Sequence, residues 1–309
     1  MPVAEIEIRA PSEGDAEAIA DALNALGRSL YGTDDTTGEE IRAWFSSPDL
    51  DPAADMRVAA LPDGSVAAYA DLGGGYGDPM RLWLDLRVRP GYEAAGPPLL
   101  AVMERRAHER GPNGALLRGT VRDRDAVAAG VFQDAGMRVV RSSYRMTIDL
   151  DLPPAQPVWP AGLFVRTLGS EEDDERVFAA HQHGFADYWE FHPTPIGEWR
   201  HWMLRPPYDP SLWFLVEDRD ELAAICLCRP YETGDPNMGW INILAVRPSW
   251  RRRGLARALL LHAFSVFRER GRLRAGLGVD AENTTGAVAL YEGVGMCVAR
   301  RADTYEKAV

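Results

Sequence analysis

The feature that most constrains the fold of this chain is an internal repeat. Short matching segments recur at a nearly constant separation along the 309 residues. The matching pairs are Ile8-Arg9 with Val165-Arg166, Val88-Arg89-Pro90 with Val246-Arg247-Pro248, and Gly136-Met137 with Gly295-Met296. Their separations are 157, 158 and 159 residues. Because self-similarity at a fixed spacing marks repeated structural units, the sequence predicts a tandem duplication of one domain.

A proline-rich segment separates the two copies. Residues 151–162 contain four prolines in twelve positions. Proline cannot donate to a sheet ladder and stiffens the chain, so this segment is predicted to be a semi-rigid linker. The predicted domains are therefore 1–150 and 163–309, each close to the usual size of about 150 residues.

The second copy has the clearer pattern of strands and helices. Strands are expected near 163–168, 211–218, 221–230, 239–247, 273–279 and 295–307. Helices are expected near 171–183, opened by Ser170, near 195–204, from Leu255 to a stop at Gly271, and near 284–293. Antiparallel strands followed by a β-α-β-α-β tail predict the α+β class, a mixed α/β fold with a mixed sheet flanked by helices.

Composition limits the partners. The net charge of −12 argues against nucleic acid and would suit a cationic acceptor such as an amine. No apolar run approaches the roughly 18 to 20 residues that span a bilayer, so no membrane partner is expected. The first residues lack the basic and apolar pattern of a secretory signal. The cysteines Cys226, Cys228 and Cys297 make no disulfide framework and fit a cytoplasmic location.

The strongest local signal lies between a predicted strand and a predicted helix. Residues 246–256 have the sequence VRPSWRRRGLA. Backbone N–H groups at a helix start have no intrahelical partner, and the helix dipole favours an anion there. A glycine at 254 would let a phosphate approach the backbone, and the arginines would add charge-assisted bonds. The pattern favours a pyrophosphate ligand; the alternative is a basic, solvated helix start.

Two segments of the second copy resemble motifs of the GNAT superfamily of N-acetyltransferases. The segment 246–256 is similar to the family's acetyl-CoA motif, in which an Arg or Gln is followed by Gly and then by Gly or Ala. The segment 283–296, NTTGAVALYEGVGM, resembles the next motif, and the two occur in family order and spacing. The resemblance covers nearly the whole chain and implies two tandem GNAT folds, each with a mixed, largely antiparallel sheet.

The resemblance assigns the acetyl-CoA site position by position. The backbone of Leu244, Ala245 and Val246 would pair with the pantetheine arm, which adds like an extra strand. The pyrophosphate would be held by Arg251, Arg252, Arg253, Gly254, Leu255 and Ala256. Asn283 would hydrogen-bond the cofactor, and Tyr291 would protonate the leaving thiolate as general acid. The alternative for Tyr291 is a ring packed on a helix with its hydroxyl in water.

The first copy departs from this pattern. Its loop, VRPGYEAAGPP at 88–98, has Glu93 at the position of Arg251. Pro97 and Pro98 have no N–H to offer a phosphate. The counterpart of Tyr291 is Phe132, which has no proton to donate. The first copy is therefore expected to be degenerate and not to bind acetyl-CoA productively.

An aromatic and histidine-rich segment is the candidate wall of the acceptor site. Four of the six histidines fall within 181–201, among tryptophans and acidic residues. The candidate substrate contacts are Tyr188, Trp189, Glu190, His192 and Asn242. An aromatic core with incidental histidines explains the same pattern. Helical geometry turns His181 and His183 apart, so no metal site is expected.

A general base is not identified from the sequence. Family members often place a carboxylate on the strand before the pyrophosphate loop, but that strand here reads GWINIL. Its Asn242 cannot accept a proton, though it could position a water. The remaining candidates are Asp187, Glu190, His192 and Glu232, and direct attack of the bound amine with proton loss through water is the expected mechanism.

The sequence thus predicts an acyl-CoA-dependent N-acyltransferase, which takes acetyl-CoA as co-substrate without a metal. The expected acceptor is a small-molecule primary amine, and the expected assembly is a monomer or homodimer. The alternatives are a peptide or protein N-terminal acetyltransferase, which needs an open groove, and a non-catalytic acyl-CoA-binding sensor. An intact Tyr291 and pyrophosphate loop weigh against the sensor.

Overall fold

A computed structural model describes residues 6–47, 50–75, 78–169 and 172–309. Two compact units divide the chain, Met1–Ser142 with Arg301–Val309 and Ser143–Arg300. Across the described ranges, no helix is both long and apolar enough to cross a bilayer.

The N-terminal unit contains most of the first copy. Its elements are β1 (Glu7–Arg9), α1 (Ala16–Tyr31), α2 (Gly38–Phe45), α3 (Pro52–Asp55), β2 (Met56–Ala60), β3 (Val66–Gly75), β4 (Asp78–Val88), α4 (Gly96–Arg110), β5 (Leu116–Arg122), α5 (Ala126–Asp134) and the start of β6 (Arg138–Asp149).

The C-terminal unit repeats this order. Its elements are the end of β6, then β7 (Phe164–Thr167), α6 (Glu172–Phe185), α7 (Ile196–Met203), β8 (Trp213–Asp218), β9 (Glu221–Arg229), β10 (Met238–Val246), α8 (Leu255–Glu269), β11 (Arg274–Asp280), α9 (Ala287–Glu292) and the start of β12 (Cys297–Ala308).

The two units share one sheet topology. In the N-terminal unit the order is β1-β2-β3-β4-β5, and in the C-terminal unit it is β7-β8-β9-β10-β11. All neighbours are antiparallel except β4 with β5 and β10 with β11, which are parallel. The predicted α+β class with a mixed, largely antiparallel sheet is confirmed for both copies.

Each unit completes its sheet with a strand from the other copy's sequence. Residues 143–149 of β6 pair antiparallel with β11, from Ser143 opposite Asp280 to Asp149 opposite Arg274. Residues 302–308 of β12 pair antiparallel with β5, from Ala302 opposite Arg122 to Ala308 opposite Leu116. The copies have therefore exchanged their last strands, a feature absent from the predicted bounds 1–150 and 163–309.

The C-terminal sheet is covered on both faces, which explains the uninterrupted apolar sequence of β9. Cys226 and Cys228 face α8 in one core cluster, while Ile225 and Leu227 face α6 and α7 in the other. Helix α8 buries the stripe Leu255, Leu259, Leu260, Ala263, Phe264 and Phe267. Gly239 of β10 lets the Phe267 ring lie directly on the strand, because a Cβ there would collide with the ring.

The predicted elements of the second copy agree closely with the structure. The main difference is α9, which begins at Ala287 and not near 284, because Gly286 has φ 80° and is not helical. Gly271, with φ 76°, follows the end of α8 as predicted. Ser170 lies outside the described residues. The linker 151–162 has no regular structure, and its Trp159 ring lies edge-on to His262 of α8, with centroids 6.0 Å apart.

Candidate active site

The loop before α8 presents backbone donors at a helix start. Gly254 adopts a left-handed conformation, with φ 84° and ψ 1°, and precedes the first helical residue. The first intrahelical bond runs from the Ala258 N–H to the Gly254 carbonyl, at 3.0 Å. The N–H groups of the preceding helical residues, 255–257, therefore have no acceptor within the helix. Their alignment with the positive end of the helix dipole favours an anion.

The space in front of this loop is open. A Cβ built on Gly254 would meet no atom of the described residues within 4 Å. Arg252 is also left-handed, with φ 62°, and both Arg252 and Arg253 are exposed. A negatively charged group could therefore approach the Gly254 backbone closely, with two cationic side chains beside it.

Arg251 has a different environment from its two neighbours. Its Nε donates to the Val246 carbonyl at 3.1 Å, and its Nη2 donates to the Gly184 carbonyl at 3.1 Å. Its remaining terminal nitrogen forms an ion pair with Asp187. These contacts tie the loop to the C-terminal end of α6, where Gly184 packs against Ala245 of β10. The Arg251 side chain thus holds the loop against the end of α6, and Asp187 is the acidic partner of Arg251.

The strand that leads into this loop separates from its neighbour. Parallel pairing of β10 with β11 runs from Met238 opposite Arg274 to Ile241 opposite Leu277. Asn242 is the extra residue of a bulge against β9, because Ile241 pairs with Cys228 while Ile243 pairs with Leu227. The predicted pantetheine segment, 244–246, follows this bulge and pairs with β9 alone. Its peptide groups that face away from β9 can hydrogen-bond an extended ligand, which would add to the sheet like a further strand.

Tyr291 lies beneath this region on α9. Its side chain is 8% exposed and belongs to the core cluster that contains α8 and Cys226. Burial raises the pKa of Tyr291 to about 12, and the nearby Cys226 thiol adds to the shift. The hydroxyl therefore keeps its proton at neutral and moderately alkaline pH.

Asn283 shapes the turn before α9. Its side-chain oxygen accepts from the Thr285 N–H at 2.9 Å, from the Thr285 hydroxyl at 2.6 Å and from the Ala287 N–H at 3.3 Å. Two of these bonds close the turn, and the third engages the N–H of the first residue of α9, whose N-cap is Gly286. The carbonyl of this amide is therefore engaged in the turn, and its NH₂ group is the part that can reach a ligand.

His181 belongs to an aromatic core. Its ring centroid lies 4.9 Å from that of Phe185 and 6.4 Å from that of Trp199, and Gln182 contacts its Nδ1 at 3.1 Å. Burial lowers the pKa of His181 to about 4. His183, two residues on, is exposed. In the described part of the chain, no group of three or more His, Cys, Asp or Glu side chains could hold a metal ion.

The predicted acceptor contacts occupy two places. Tyr188, Trp189, Glu190 and His192 follow α6 in a turn whose Glu190 has φ 50°. Tyr188 and Glu190 are exposed, whereas Trp189 and His192 are half-buried. Asn242, in the β10 bulge, donates from Nδ2 to the Met203 sulfur of α7 at 3.3 Å. Asn242 therefore lies on the sheet face covered by α6 and α7, opposite α8.

Comparison with known proteins identifies the fold and its family. Residues 174–296 match the family model described as "Acetyltransferase (GNAT) family". A mycothiol acetyltransferase of Salinispora arenicola is 32% identical over 292 residues, which are 91% of this chain and 90% of that protein. The chain belongs to the GNAT family of acetyltransferases. It is accordingly an acyl-CoA-dependent N-acyltransferase, and this prediction from the sequence is confirmed.

Solved structures support the same assignment. A GCN5-related N-acetyltransferase from Sphaerobacter thermophilus superposes with a TM-score of 0.80 at 31% identity, covering 98% of this chain and 95% of that one. A tandem GNAT protein from the clavulanic acid biosynthesis pathway superposes with a TM-score of 0.75 over 98% of each chain. At 16% identity the second likeness shows the fold alone, and it confirms the tandem plan.

The loop of the N-terminal GNAT copy is closed where the C-terminal loop is open. Gly96 is helical, with φ −61°, and a Cβ there would lie 3.0 Å from Val131 and 3.3 Å from Val88. The Glu93 carboxylate accepts the Gly91 N–H at 2.8 Å, so it occupies a donor of its own loop. Pro97 and Pro98, the second and third residues of α4, have no N–H groups.

In the N-terminal copy, Phe132 packs directly on the last residue of β5 that pairs with β4. Pairing of β4 with β5 ends at Leu84 opposite Gly119. The ring of Phe132, the counterpart of Tyr291, is fully buried and lies where a Cβ of Gly119 would be. In the C-terminal copy the corresponding last pair is Ile241 opposite Leu277, and the buried Leu277 side chain lies in the same core cluster as Tyr291.

Sequence reasoning missed two residues of the C-terminal GNAT unit, Arg145 and Trp240. Arg145 Nη1 pairs with Glu232 Oε1 at 3.0 Å, and its guanidinium lies 4.7 Å from the Trp240 ring centroid. Glu232 was among the candidate bases, but Arg145 belongs to the sequence of the first copy. Only the exchange of β6 brings it into this unit, and no local motif signals that exchange.

Proposed function

We propose that this GNAT protein transfers the acetyl group of acetyl-CoA to the primary amine of a small molecule, and that its C-terminal copy does so alone. The observation that carries the proposal is the open loop at Gly254. Unpaired helix-start N–H groups face open space there, at the end of a strand that has just left its neighbour.

The acetyl-CoA site would bind its ligand through backbone groups more than through side chains. The pyrophosphate would accept N–H groups from the segment 252–256, with charge from Arg252 and Arg253, while Arg251 braces the loop. The pantetheine arm would lie along 244–246, beside the open space at Gly278. The NH₂ group of Asn283 would donate to the cofactor.

The chemistry would be direct transfer in a ternary complex. The neutral amine attacks the thioester carbonyl, the new C–N bond forms and the C–S bond breaks. The amine loses one proton to water, the thiolate of coenzyme A takes one from Tyr291, and water returns a proton to Tyr291. A hydroxyl whose pKa is about 12 stays protonated until that step, which suits a general acid.

The acceptor would lie on the sheet face that carries Asn242 and be bordered by the turn 188–192. Aromatic faces and carboxylates there suit an ammonium group. The relative from Salinispora arenicola described above is named a mycothiol acetyltransferase, and the two-copy plan resembles mycothiol synthase. Deacetylated mycothiol is therefore the first acceptor to test within the class of small primary amines.

Two measurements test the proposal. Isothermal titration should show one acetyl-CoA site per chain, abolished by the double change Arg252→Glu with Gly254→Pro. Two equal sites, or binding that survives the double change, would contradict the assignment to the C-terminal loop.

The second measurement is an amine panel scored by the mass of the acetylated product. Tyr291→Phe should lower kcat by about 10²-fold, the usual scale of general acid catalysis, and leave acetyl-CoA affinity unchanged. Unchanged kcat would remove Tyr291 from the mechanism, and no product with any amine would refute the proposed reaction.

A further inference from the structure

Two glycines, Gly276 and Gly278, leave one face of β11 free of side chains. This is the face on which the acceptor is proposed to bind. Phe267 of α8 packs on Gly239, so the next residue of β10, Trp240, points to the opposite face. Trp240 is paired with Gly276 of β11, and Gly278 lies two residues further on the same face. Neither glycine has a side chain, so long side chains from the two neighbouring strands can meet above β11.

Arg145 and Trp240 meet in that space. Arg145, on the exchanged strand β6, is directly opposite Gly278. Its guanidinium carbon lies 4.7 Å from the centroid of the Trp240 ring, within the range of a cation–π interaction. A Cβ on Gly276 would lie 2.9 Å from the Trp240 ring, so the indole rests against the β11 backbone. The position of the guanidinium is thereby fixed on one side.

On its other side Arg145 holds a carboxylate. Its Nη1 lies 3.0 Å from Glu232 Oε1, and the two side chains are each 22% exposed. The Glu232 N–H donates to the Met238 carbonyl at 2.8 Å, which fixes the turn that carries it. A chain of contacts thus runs from the β11 backbone through Trp240 and Arg145 to the Glu232 carboxylate, and it remains partly open to solvent.

Arg145 enters this chain of contacts at the level where the two strands separate, and Glu232 is carried by a turn bonded to Met238, at the first pair of β10 with β11. Arg145 is opposite Gly278, one residue beyond the last pair of β10 with β11. It shares its face with Asn242, which contacts α7. The proposed acetyl-CoA site begins at the same point, where β10 and β11 separate.

We propose that Arg145 is a positioning residue for the acceptor. It holds the Glu232 carboxylate in place, and Glu232 binds the amino group of the incoming acceptor. A carboxylate has about four acceptor positions, so it can accept from an amino group while it accepts from Arg145. The inference rests on the proposed function. It also gives the exchanged strand a role in activity, since β6 supplies a residue that the C-terminal sequence lacks.

The test compares Arg145→Met, Arg145→Lys and Glu232→Gln, with Arg270→Met as the matched control. Arg270 forms a similar, partly exposed pair with Asp209, at 2.5 Å, just after the end of α8, and neither residue belongs to the turn that carries Glu232. The amine is varied at saturating acetyl-CoA, acetyl-CoA is then varied at saturating amine, and thermal unfolding is followed for every variant.

Arg145→Met is expected to lower kcat/KM for the amine at least tenfold, with KM for acetyl-CoA within twofold of wild type. Arg145→Lys should recover part of the loss, because it keeps the charge without the planar stack. Glu232→Gln should lower kcat/KM as well, and the double variant should lose little more than either change alone.

The inference is overturned if Arg145→Met behaves like Arg270→Met, if KM for acetyl-CoA rises in the same proportion, or if the two losses multiply. Wild-type activity separates the two proposals. If wild type acetylates an amine and Arg145→Met does so equally well, only the role of Arg145 fails. If wild type acetylates no amine, the proposed function itself fails.

Discussion

Replacing Gly254 with alanine tests the open loop most directly. Gly254 has φ 84°, a conformation that costs an L-residue about 1–2 kcal/mol. A Cβ there would touch none of the described residues within 4 Å, so steric overlap adds nothing to that cost. Gly271, at the other end of α8, has φ 76° and the same open surroundings. Gly271→Ala is therefore a matched control with the same backbone cost.

The two variants should differ in acetyl-CoA affinity alone. Each should lower Tm by about 2–4 °C per kcal/mol of lost stability. At Gly254 the new methyl group would occupy the space through which a phosphate reaches the backbone. The loss of one or two charge-assisted hydrogen bonds, about 1.5–3 kcal/mol each, raises Kd at least tenfold.

The assay combines thermal unfolding with isothermal titration of acetyl-CoA. We expect matching Tm shifts for the two variants, a Kd near wild type for Gly271→Ala, and a Kd at least tenfold higher for Gly254→Ala. If both variants bind acetyl-CoA as tightly as wild type, the pyrophosphate does not approach Gly254 and the reasoning from the open loop is wrong.

Two further predictions concern stability. The pKa of His181 is about 4 in the folded chain, below its ordinary 6.5, so the stability it contributes is present above pH 6.5 and is lost as pH falls toward 4, by about 3 kcal/mol in all. His181→Gln should flatten the pH dependence of urea unfolding in that window; an unchanged slope would assign the effect to other groups. Tyr305 of β12 is buried, with its ring 5.7 Å from that of Phe132. Tyr305→Ala should destabilise the N-terminal unit by about 3–5 kcal/mol, seen as faster amide exchange in β5; protection of β5 equal to wild type would show that the exchanged strand does not stabilise this unit.

The loop and the elements around it could be predicted from the sequence because they depend on local rules. A glycine between a strand and a helix, with a basic run before it, specifies a left-handed turn and an anion-attracting helix start. Likewise, the spacing of apolar residues predicts α8, and a continuous apolar run predicts β9. Glu93, Pro97 and Pro98 showed in the same way that the first loop lacks donors.

Other features had no local signal. The sequence leaves open whether the histidine-rich segment is an acceptor wall or an aromatic core, because the position of His181 among Phe185 and Trp199 depends on how α6 and α7 pack on the sheet. The side chain of Arg251 was expected at the pyrophosphate, yet its donors go to α6 and to its own loop. Such partners are distant in sequence, and a pattern of residue types does not specify them.

The sequence by itself determined the duplication, the fold class and the asymmetry between an open and a degenerate loop. Each of these conclusions depends on short segments whose residues lie close together along the chain. What only the tertiary structure decided is which strand completes each sheet. A last strand can pair with either copy, since both offer the same antiparallel edge, and long-range packing selects between them. That selection puts Arg145 beside Glu232, 87 residues away in sequence, and so decides which side chains surround the proposed acceptor.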